Sequence, residues 1–546
     1  MMFAKLVTAG LAALPLTAAI SAPTATINAG TVQGGRYTGT PDAIYYKAIP
    51  YARPPVGNRR FAAPVAYNGH FPNGTLHATK PPPACIQFGD LFAETGPTSE
   101  DCLYLNIWTP ANATKTSGLP VQVWIYGGSE TNGGISNPLY DGCNVARDGA
   151  ILVSVNYWLG PLGFLALSAA GFEGNQGIQD ILLGLEWVRE NIGAFSGDPK
   201  KVLLFGQSAG AVNAFIIATL PQAPSLINAA ITESGGGRDV LFNSTAQRVG
   251  DSVAQRLSCK ATDRTCLQSK SISSLQNAYK TNPFLSQGLG AADAIGIVSP
   301  ESHVFYPHHD GKVIPAQPSH HGVQVPTVFG FAQREGTIFA SAQFAPDLGS
   351  ANSTAYNAFL TQNFGPKLAP VIKKYYPLSL FSSTTFPAIA AISTVMTDAA
   401  YKCPTHRALI QASNNSIPSI PPEAISTLGA THTAEIPLIF GNLAHQPVPD
   451  GSCNATTTEY GLASGLMGLW RSMAEKGEPS VRWPVFGEDG RGLVIGDGLQ
   501  IGEVDFRACE LWARINELLM EVRGLISLDV DRVFDILDVA EKNISS

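Results

Sequence analysis

Charged residues are scarce in this chain of 546 residues. Asp, Glu, Lys and Arg make up 14% of it, whereas a globular protein has about 25%. Disordered chains are rich in charge and poor in apolar residues, so a hydrophobic fraction of 45% excludes that class. The 35 Lys and Arg are outnumbered by 42 Asp and Glu, which leaves no basic excess for a nucleic-acid partner.

Repeats, long apolar runs and dense cysteine are also missing. The sequence has no G-x-y period and no sustained heptad, which excludes collagen and coiled coil. Eight cysteines in a chain of this length do not make a small disulfide scaffold. After the first 22 residues no segment offers 18 uninterrupted apolar residues, so we predict no membrane span.

Residues 1–22 have the layout of a secretory signal peptide, with one Lys, an apolar stretch and an Ala/Ser-rich end. Pro15 interrupts the stretch and no basic cluster follows it, which favours a cleaved signal over a membrane anchor. We therefore expect a secreted, extracellular mature chain, residues 23–546, that forms a single domain. Seven N-x-S/T sequons indicate a glycoprotein in the same compartment, at Asn73, Asn112, Asn243, Asn352, Asn414, Asn454 and Asn543.

Apolar, β-branched runs between Gly and Pro predict strands that are buried on both faces of a sheet. A helical pattern, Ile178–Ile192, lies among them. Strand and helix in alternation predict an α/β fold in which helices flank a large, mostly parallel central sheet. The predicted strands are Val121–Tyr126, Ile151–Asn156, Val202–Phe205 and Thr327–Phe331.

The sharpest motif is G-x-S-x-G at residues 206–210, directly after the strand Val202–Phe205 and before an apolar helical segment. Glycines on either side of Ser208 permit a turn too tight for side chains, and the turn exposes the hydroxyl at the positive end of the next helix. An ordinary Gly/Ser-rich turn is the alternative, but the flanking strand and helix favour a nucleophile.

A serine nucleophile needs a histidine base, and the base needs a carboxylate that holds its tautomer. In this motif the acid and then the histidine follow the serine along the chain. The residues alone do not choose among the ten histidines. His308 and His309 precede Asp310, but adjacent His side chains diverge, so we expect a surface loop there and no metal.

Longer segments resemble the type-B carboxylesterase family of the α/β-hydrolases, which includes carboxylesterases, cholinesterases and fungal lipases. AIPYARPPVGNRRFAAP (48–64) resembles the opening motif of the family, and SEDCLYLNIW (99–108) is similar to its E-D-C-L-Y-L-N signature. The segments 156–165 and 176–210 follow its central block. The resemblance covers nearly all of the mature chain and implies the α/β-hydrolase fold.

The resemblance assigns the site residue by residue. The nucleophile is Ser208, the acid is Glu335 in GFAQREGTIF (330–339), and the base is His432 in GATHTAEIPLIFG (429–441). It also implies three disulfides, and it leaves Cys143 and Cys453 as either free thiols or an additional bridge. The implied pairs are Cys85–Cys102, Cys259–Cys266 and Cys403–Cys509.

The oxyanion hole departs from the family pattern. The resemblance places its donors at the backbone N–H groups of Gly128, Ser129 and Ala209, but the family has glycine where this chain has Ser129. The Ser129 Cβ occupies space beside the acyl group, so we expect a narrower acyl pocket, with the hydroxyl as a candidate extra donor. Gln207 replaces a Glu that most members carry before the nucleophile.

The resemblance implies a serine hydrolase that acts on small or medium carboxylic esters or lactones, with no cofactor and no metal. The loop Cys85–Cys102 contains no Trp, which argues against a choline ester, and it is too short for the long lid of the family's lipases. Two alternatives remain open. One is acyl transfer or tailoring of a secondary metabolite with the same triad, and the other is a non-catalytic binding member of the family.

Overall fold

A computed structural model gives the fold of this chain. It describes residues 21–37, 40–89, 93–281, 305–415, 419–420, 431–445, 455–479, 483–487, 490–496 and 498–515. Most of the predicted signal peptide, Asn454, Asn543 and Cys453 lie outside these residues. In the described part of the chain no helix is long and apolar enough to cross a membrane.

The predicted strands are confirmed, and the structure extends or trims them by a few residues. The strands are β1 (Thr24–Ile27), β2 (Gly30–Gln33), β3 (Gly35–Tyr37), β4 (Thr40–Pro50), β5 (Thr75–His77), β6 (Ala84–Cys85), β7 (Thr98–Ser99), β8 (Tyr104–Pro110), β9 (Leu119–Ile125), β10 (Ile151–Val155), β11 (Ala166–Leu167), β12 (Phe172–Glu173), β13 (Gly197–Gln207), β14 (Ala229–Glu233), β15 (Leu241–Phe242), β16 (His308–His309), β17 (Thr327–Gly330), β18 (Ser419–Ile420), β19 (Arg491–Ile495) and β20 (Leu499–Glu503).

Nine of these strands form the central sheet, in the order β18-β17-β14-β13-β9-β10-β8-β4-β3. Neighbours from β18 to β10 run parallel, whereas β8, β4 and β3 pair antiparallel at the other end. The sheet is therefore mixed but mostly parallel, as expected. Its parallel strands are buried along nearly their whole length, which explains why their sequences are almost continuously apolar.

Helices connect the parallel strands. The α-helices are α1 (Cys143–Arg147), α2 (Gly160–Phe164), α3 (Gln176–Asn191), α4 (Ala209–Thr219), α5 (Ala223–Leu226), α6 (Asn243–Arg256), α7 (Arg264–Gln268), α8 (Ile272–Lys280), α9 (Pro318–His321), α10 (Gly336–Phe344), α11 (Ser353–Tyr375), α12 (Pro387–Thr397), α13 (Cys403–Asn414), α14 (Ile436–Ile439) and α15 (Thr457–Lys476). A single π-helical segment, Asp398–Lys402, joins α12 to α13. Residues 509–515 are also helical.

Two apolar cores hold these elements together. The larger core surrounds the central sheet, where α4 packs on β13 and β14 and α15 packs on β9 and β13. Every residue of α4 is buried, so this helix has no solvent-exposed face. The smaller core joins α10, α11 and α12 to the helical residues 509–515.

The structure contains the three disulfides that the resemblance implies. They join Cys85 to Cys102, Cys259 to Cys266, and Cys403 to Cys509. Among the described cysteines Cys143 is a free thiol. The third disulfide ties the start of α13 to the helical residues 509–515, which closes the smaller core.

Candidate active site

The candidate site lies at the carboxyl ends of the neighbouring parallel strands β9, β13, β14 and β17. The register aligns Gly206 of β13 with Ile125 of β9, and Gln207 of β13 with Glu233 of β14. The loops after these strands therefore leave the sheet at one edge. This edge is where open α/β sheets bind their ligands.

Ser208 occupies the sharp turn between β13 and α4. Its backbone has φ 57° and ψ −124°, a strained conformation for a residue with a Cβ, and its N–H donates to the Glu233 carbonyl at 2.8 Å. A Cβ on Gly210 would collide with the Ile125 carbonyl oxygen, and one on Gly206 would collide with the Gly210 carbonyl oxygen. The predicted role of the two glycines in a close turn is confirmed.

Glu335 and His432 meet through a short hydrogen bond. The Glu335 Oε2 atom lies 2.6 Å from His432 Nδ1, and the other carboxylate oxygen accepts the Ala332 N–H at 2.6 Å. A parallel bridge between Arg334 and Thr431 sets the two loops side by side. Both side chains are buried, so water does not compete for this pair.

Two aromatic side chains lie next to the His432 ring. Phe339 and Tyr401 each place a ring centroid 5.1 Å from the imidazole centroid. The Arg238 guanidinium carbon lies 5.8 Å from the Tyr401 ring centroid, so a buried cation lies near this pocket. None of these three residues could be predicted from the sequence, because their proximity to His432 arises from tertiary packing.

Gln207 contacts the second nitrogen of His432. Its Nε2 atom lies 3.3 Å from His432 Nε2. When Nδ1–H donates to Glu335, Nε2 is an acceptor that faces the residue next to Ser208. The role of His432 as the general base for Ser208 stays a prediction.

The predicted oxyanion loop follows β9 in an unusual backbone conformation. Gly128 has φ 119° and Ser129 has φ 56°, and the Gly128 carbonyl accepts the N–H groups of Thr131 and Asn132, both at 3.0 Å. Ala209 is the first residue of α4, where backbone N–H groups have no partner inside the helix. The donor roles of Gly128, Ser129 and Ala209 stay predictions.

Glu130 is a buried carboxylate whose place beside the site was not predicted from the sequence. Its side chain accepts from Asn213 Nδ2 of α4 at 3.3 Å. Its carbonyl accepts the Gly160 N–H at 2.6 Å. Burial, together with the charge of Glu130, raises the pKa of Tyr157 well above its usual value. Glu130 thus links the oxyanion loop to the helix that follows Ser208.

The prediction of a surface loop at His308 is wrong. His308 is fully buried in β16, and Asn175 accepts its backbone N–H at 2.9 Å and donates to its carbonyl at 2.8 Å. Burial lowers the pKa of His308 to about 4, so the ring is neutral. The local sequence does not predict this burial, because it depends on the pairing of β16 with β15. Within the described ranges no group of three His, Cys, Asp or Glu is arranged to hold a metal ion.

A sequence model described as the carboxylesterase family matches residues 21–507. The chain belongs to the carboxylesterase family. It is 32% identical to para-nitrobenzyl esterase of Bacillus subtilis (strain 168) over 498 residues, which cover 86% of this chain and 94% of that protein. It is 30% identical to the liver carboxylesterase of Sus scrofa, with 84% of this chain and 86% of that protein covered.

A solved structure of a PNB esterase has the same fold. It superposes with a TM-score of 0.73 at 29% sequence identity, over 91% of this chain and 100% of that chain. The predicted α/β-hydrolase fold is therefore confirmed. With esterase relatives at about 30% identity over most of its length, the protein is a carboxylic ester hydrolase of this family.

Proposed function

We propose that this carboxylesterase hydrolyses small or medium carboxylic esters or lactones through an acyl-enzyme on Ser208. The observation that carries the proposal is the 2.6 Å contact between Glu335 and His432 Nδ1, with the opposite ring nitrogen directed at Gln207, the neighbour of Ser208. A carboxylate that holds the Nδ1 atom of a histidine base is the arrangement that a serine nucleophile needs, which supports the proposal.

In the proposed reaction, the Ser208 hydroxyl attacks the ester carbonyl and His432 Nε2 accepts its proton. Glu335 holds the imidazole in the correct tautomer and stabilises the imidazolium. The N–H groups of Gly128, Ser129 and Ala209 stabilise the developing oxyanion. His432 then protonates the departing alcohol, and water repeats the sequence on the acyl-enzyme.

Two sequence features support a preference for short acyl groups and argue against choline esters and long-chain lipids as substrates. The Ser129 side chain stands next to the predicted oxyanion donors, where it reduces the space for an acyl chain. The loop closed by Cys85–Cys102 has 16 residues between its cysteines and no Trp, so it offers neither the aromatic platform for a quaternary ammonium nor a long lipase lid.

We also propose that the protein is a secreted glycoprotein. Five of the seven sequons lie among the described residues, and each of these asparagines is exposed: Asn73, Asn112, Asn243, Asn352 and Asn414. Exposure is what a glycosyl transfer to asparagine requires. Three disulfides support an oxidising compartment, since such bonds are rare in the cytosol.

Hydrolysis of p-nitrophenyl esters from acetate to dodecanoate tests the ester proposal, with Ser208→Ala as the matched variant. We expect the wild type to prefer short chains and the variant to lose roughly 10⁴-fold or more in kcat/KM. Circular dichroism checks that the variant is folded. A variant within tenfold of the wild type would mean that Ser208 is not the nucleophile.

A further inference from the structure

A small cavity lies beside the two loops that carry Glu335 and His432. Its volume is about 30 Å³, and its walls include Ala332 of the acid loop, Glu435, Glu233 of β14 and Trp470 of α15. A cavity of this size has room for one water molecule when polar groups line it. Two carboxyl side chains therefore face the same confined space.

Glu435 is buried against this cavity without a hydrogen bond. Its side chain is 8% exposed, and neither carboxyl oxygen has a partner among the described residues. Glu233 differs, because its Oε1 atom accepts the Trp470 indole N–H at 3.0 Å. Burying an ionised carboxylate without a partner is costly, so the neutral form of Glu435 is favoured.

The titratable groups near Glu435 come from several elements. Burial and then the charge of Glu335 raise the pKa of Glu435 to about 7, whereas the charge of His432 lowers it. Glu233 lines the same cavity. The pKa of Tyr140 is raised by burial and by the charges of Glu94 and Glu435, so this phenol stays neutral.

We propose that Glu435 is a positioning residue that sets the basicity of His432 through its own ionisation. The inference rests on the proposed function of the triad. While Glu435 is neutral, only one of the two carboxyl groups, that of Glu335, places a negative charge beside the imidazole. When the Glu435 proton leaves to solvent, a second negative charge stabilises the imidazolium that forms as Ser208 gives up its proton.

The pH dependence of kcat/KM between pH 5 and 9 tests this role, with p-nitrophenyl acetate as substrate. We expect the ascending limb of the wild type to contain a second ionisation near pH 7, which Glu435→Gln removes. The kcat/KM of the variant should be within twofold of the wild-type value at pH 5.5 and three- to tenfold below that value at pH 8.5. Gln preserves the size of the side chain but does not ionise.

Two further variants identify the ionising group. Glu173→Gln removes the same charge from an exposed pair with Lys312 and should leave the profile unchanged. Glu233→Gln changes the other carboxyl side chain that lines the cavity and should leave the second ionisation in place. An unchanged profile in Glu435→Gln, or a second ionisation that disappears with Glu233 and persists without Glu435, would overturn the proposal.

A thermal measurement separates this inference from the proposed function, because it needs no catalysis. The ordinary pKa of Glu is 4.5, and the folded value for Glu435 is about 7, so the folded state holds the proton more tightly. Stability is therefore present below pH 4.5 and is lost as the pH rises through 7. The wild-type Tm should fall by a few degrees relative to Glu435→Gln between pH 5 and 8. A constant difference would overturn the proposal even if the esterase activity is confirmed.

Discussion

Ser129 stands where the family pattern has glycine, so this chain carries one additional Cβ and a hydroxyl in the oxyanion loop. The residue adopts φ 56° next to the predicted oxyanion donors. We predict that Ser129→Gly increases kcat/KM several-fold for octanoyl esters relative to acetyl esters, because the acyl group gains the volume of the side chain. Initial rates on a series of p-nitrophenyl esters measure this ratio.

Ser129→Ala is the matched control, since it keeps the Cβ and removes the hydroxyl. The alanine variant should retain the wild-type chain-length preference if volume is the cause. A slower reaction on every ester would instead identify the hydroxyl as an oxyanion donor. If Ser129→Gly leaves the chain-length preference unchanged, the narrow-pocket hypothesis is wrong.

Single residues also show how far the sequence predicts the site. The G-x-S-x-G motif predicted Ser208, the family resemblance assigned Glu335 and His432, and the structure brings the last two into contact. Glu130 and Glu435 were missed, because a carboxylate in a sequence is expected at the surface. Their burial depends on which loops pack together, which no local pattern records.

At the scale of elements, the turn between β13 and α4 depends on the absence of a side chain at residue 210. We predict that Gly210→Ala destabilises the fold by about 3 kcal/mol and removes most of the activity, since its Cβ would meet the Ile125 carbonyl of β9. Thermal or urea unfolding measures the loss of stability, and an ester assay measures the loss of activity.

Gly193→Ala is the control for this prediction, because a Cβ there meets no atom within 4 Å. This variant should differ from the wild type by less than about 0.5 kcal/mol. Equal stability of the two variants would contradict the idea that close packing of β9 against the turn fixes the position of Ser208.

The strands show which elements can be predicted from the sequence and which cannot. The predicted strand Val202–Phe205 lies in the buried part of β13. The structure extends it to Gln207 at one end and, through the exposed Pro199 and Lys200, to Gly197 at the other. β14 was missed, although it lies between β13 and β17, because its five residues end in Thr232 and Glu233. Polar residues interrupt the apolar pattern, while neighbouring strands on both sides supply the burial.

The scarcity of charge is a property of the whole molecule. A sheet covered on both faces needs a large apolar core, and the described core surrounds that sheet. The size of this core explains the hydrophobic fraction of 45%. It does not explain how a surface with so few charged residues stays soluble. Glycans on the exposed sequons would supply the missing solubility.

We predict that enzymatic deglycosylation of the secreted protein increases its aggregation. Light scattering during storage at one protein concentration compares treated protein with a mock-treated sample. The treated sample should scatter more, because 14% charged residues give weak repulsion between molecules. Equal scattering after complete removal of the glycans would show that the surface stays soluble by other means.

The central claim is that Ser208 is an activated nucleophile, and covalent labelling tests it most directly. The folded protein is incubated with a fluorophosphonate, and peptide mass spectrometry locates the adduct. The account predicts one adduct on Ser208, and none in the Ser208→Ala variant or after heat denaturation. Absence of an adduct on folded wild-type protein, or an adduct on another residue, would contradict it.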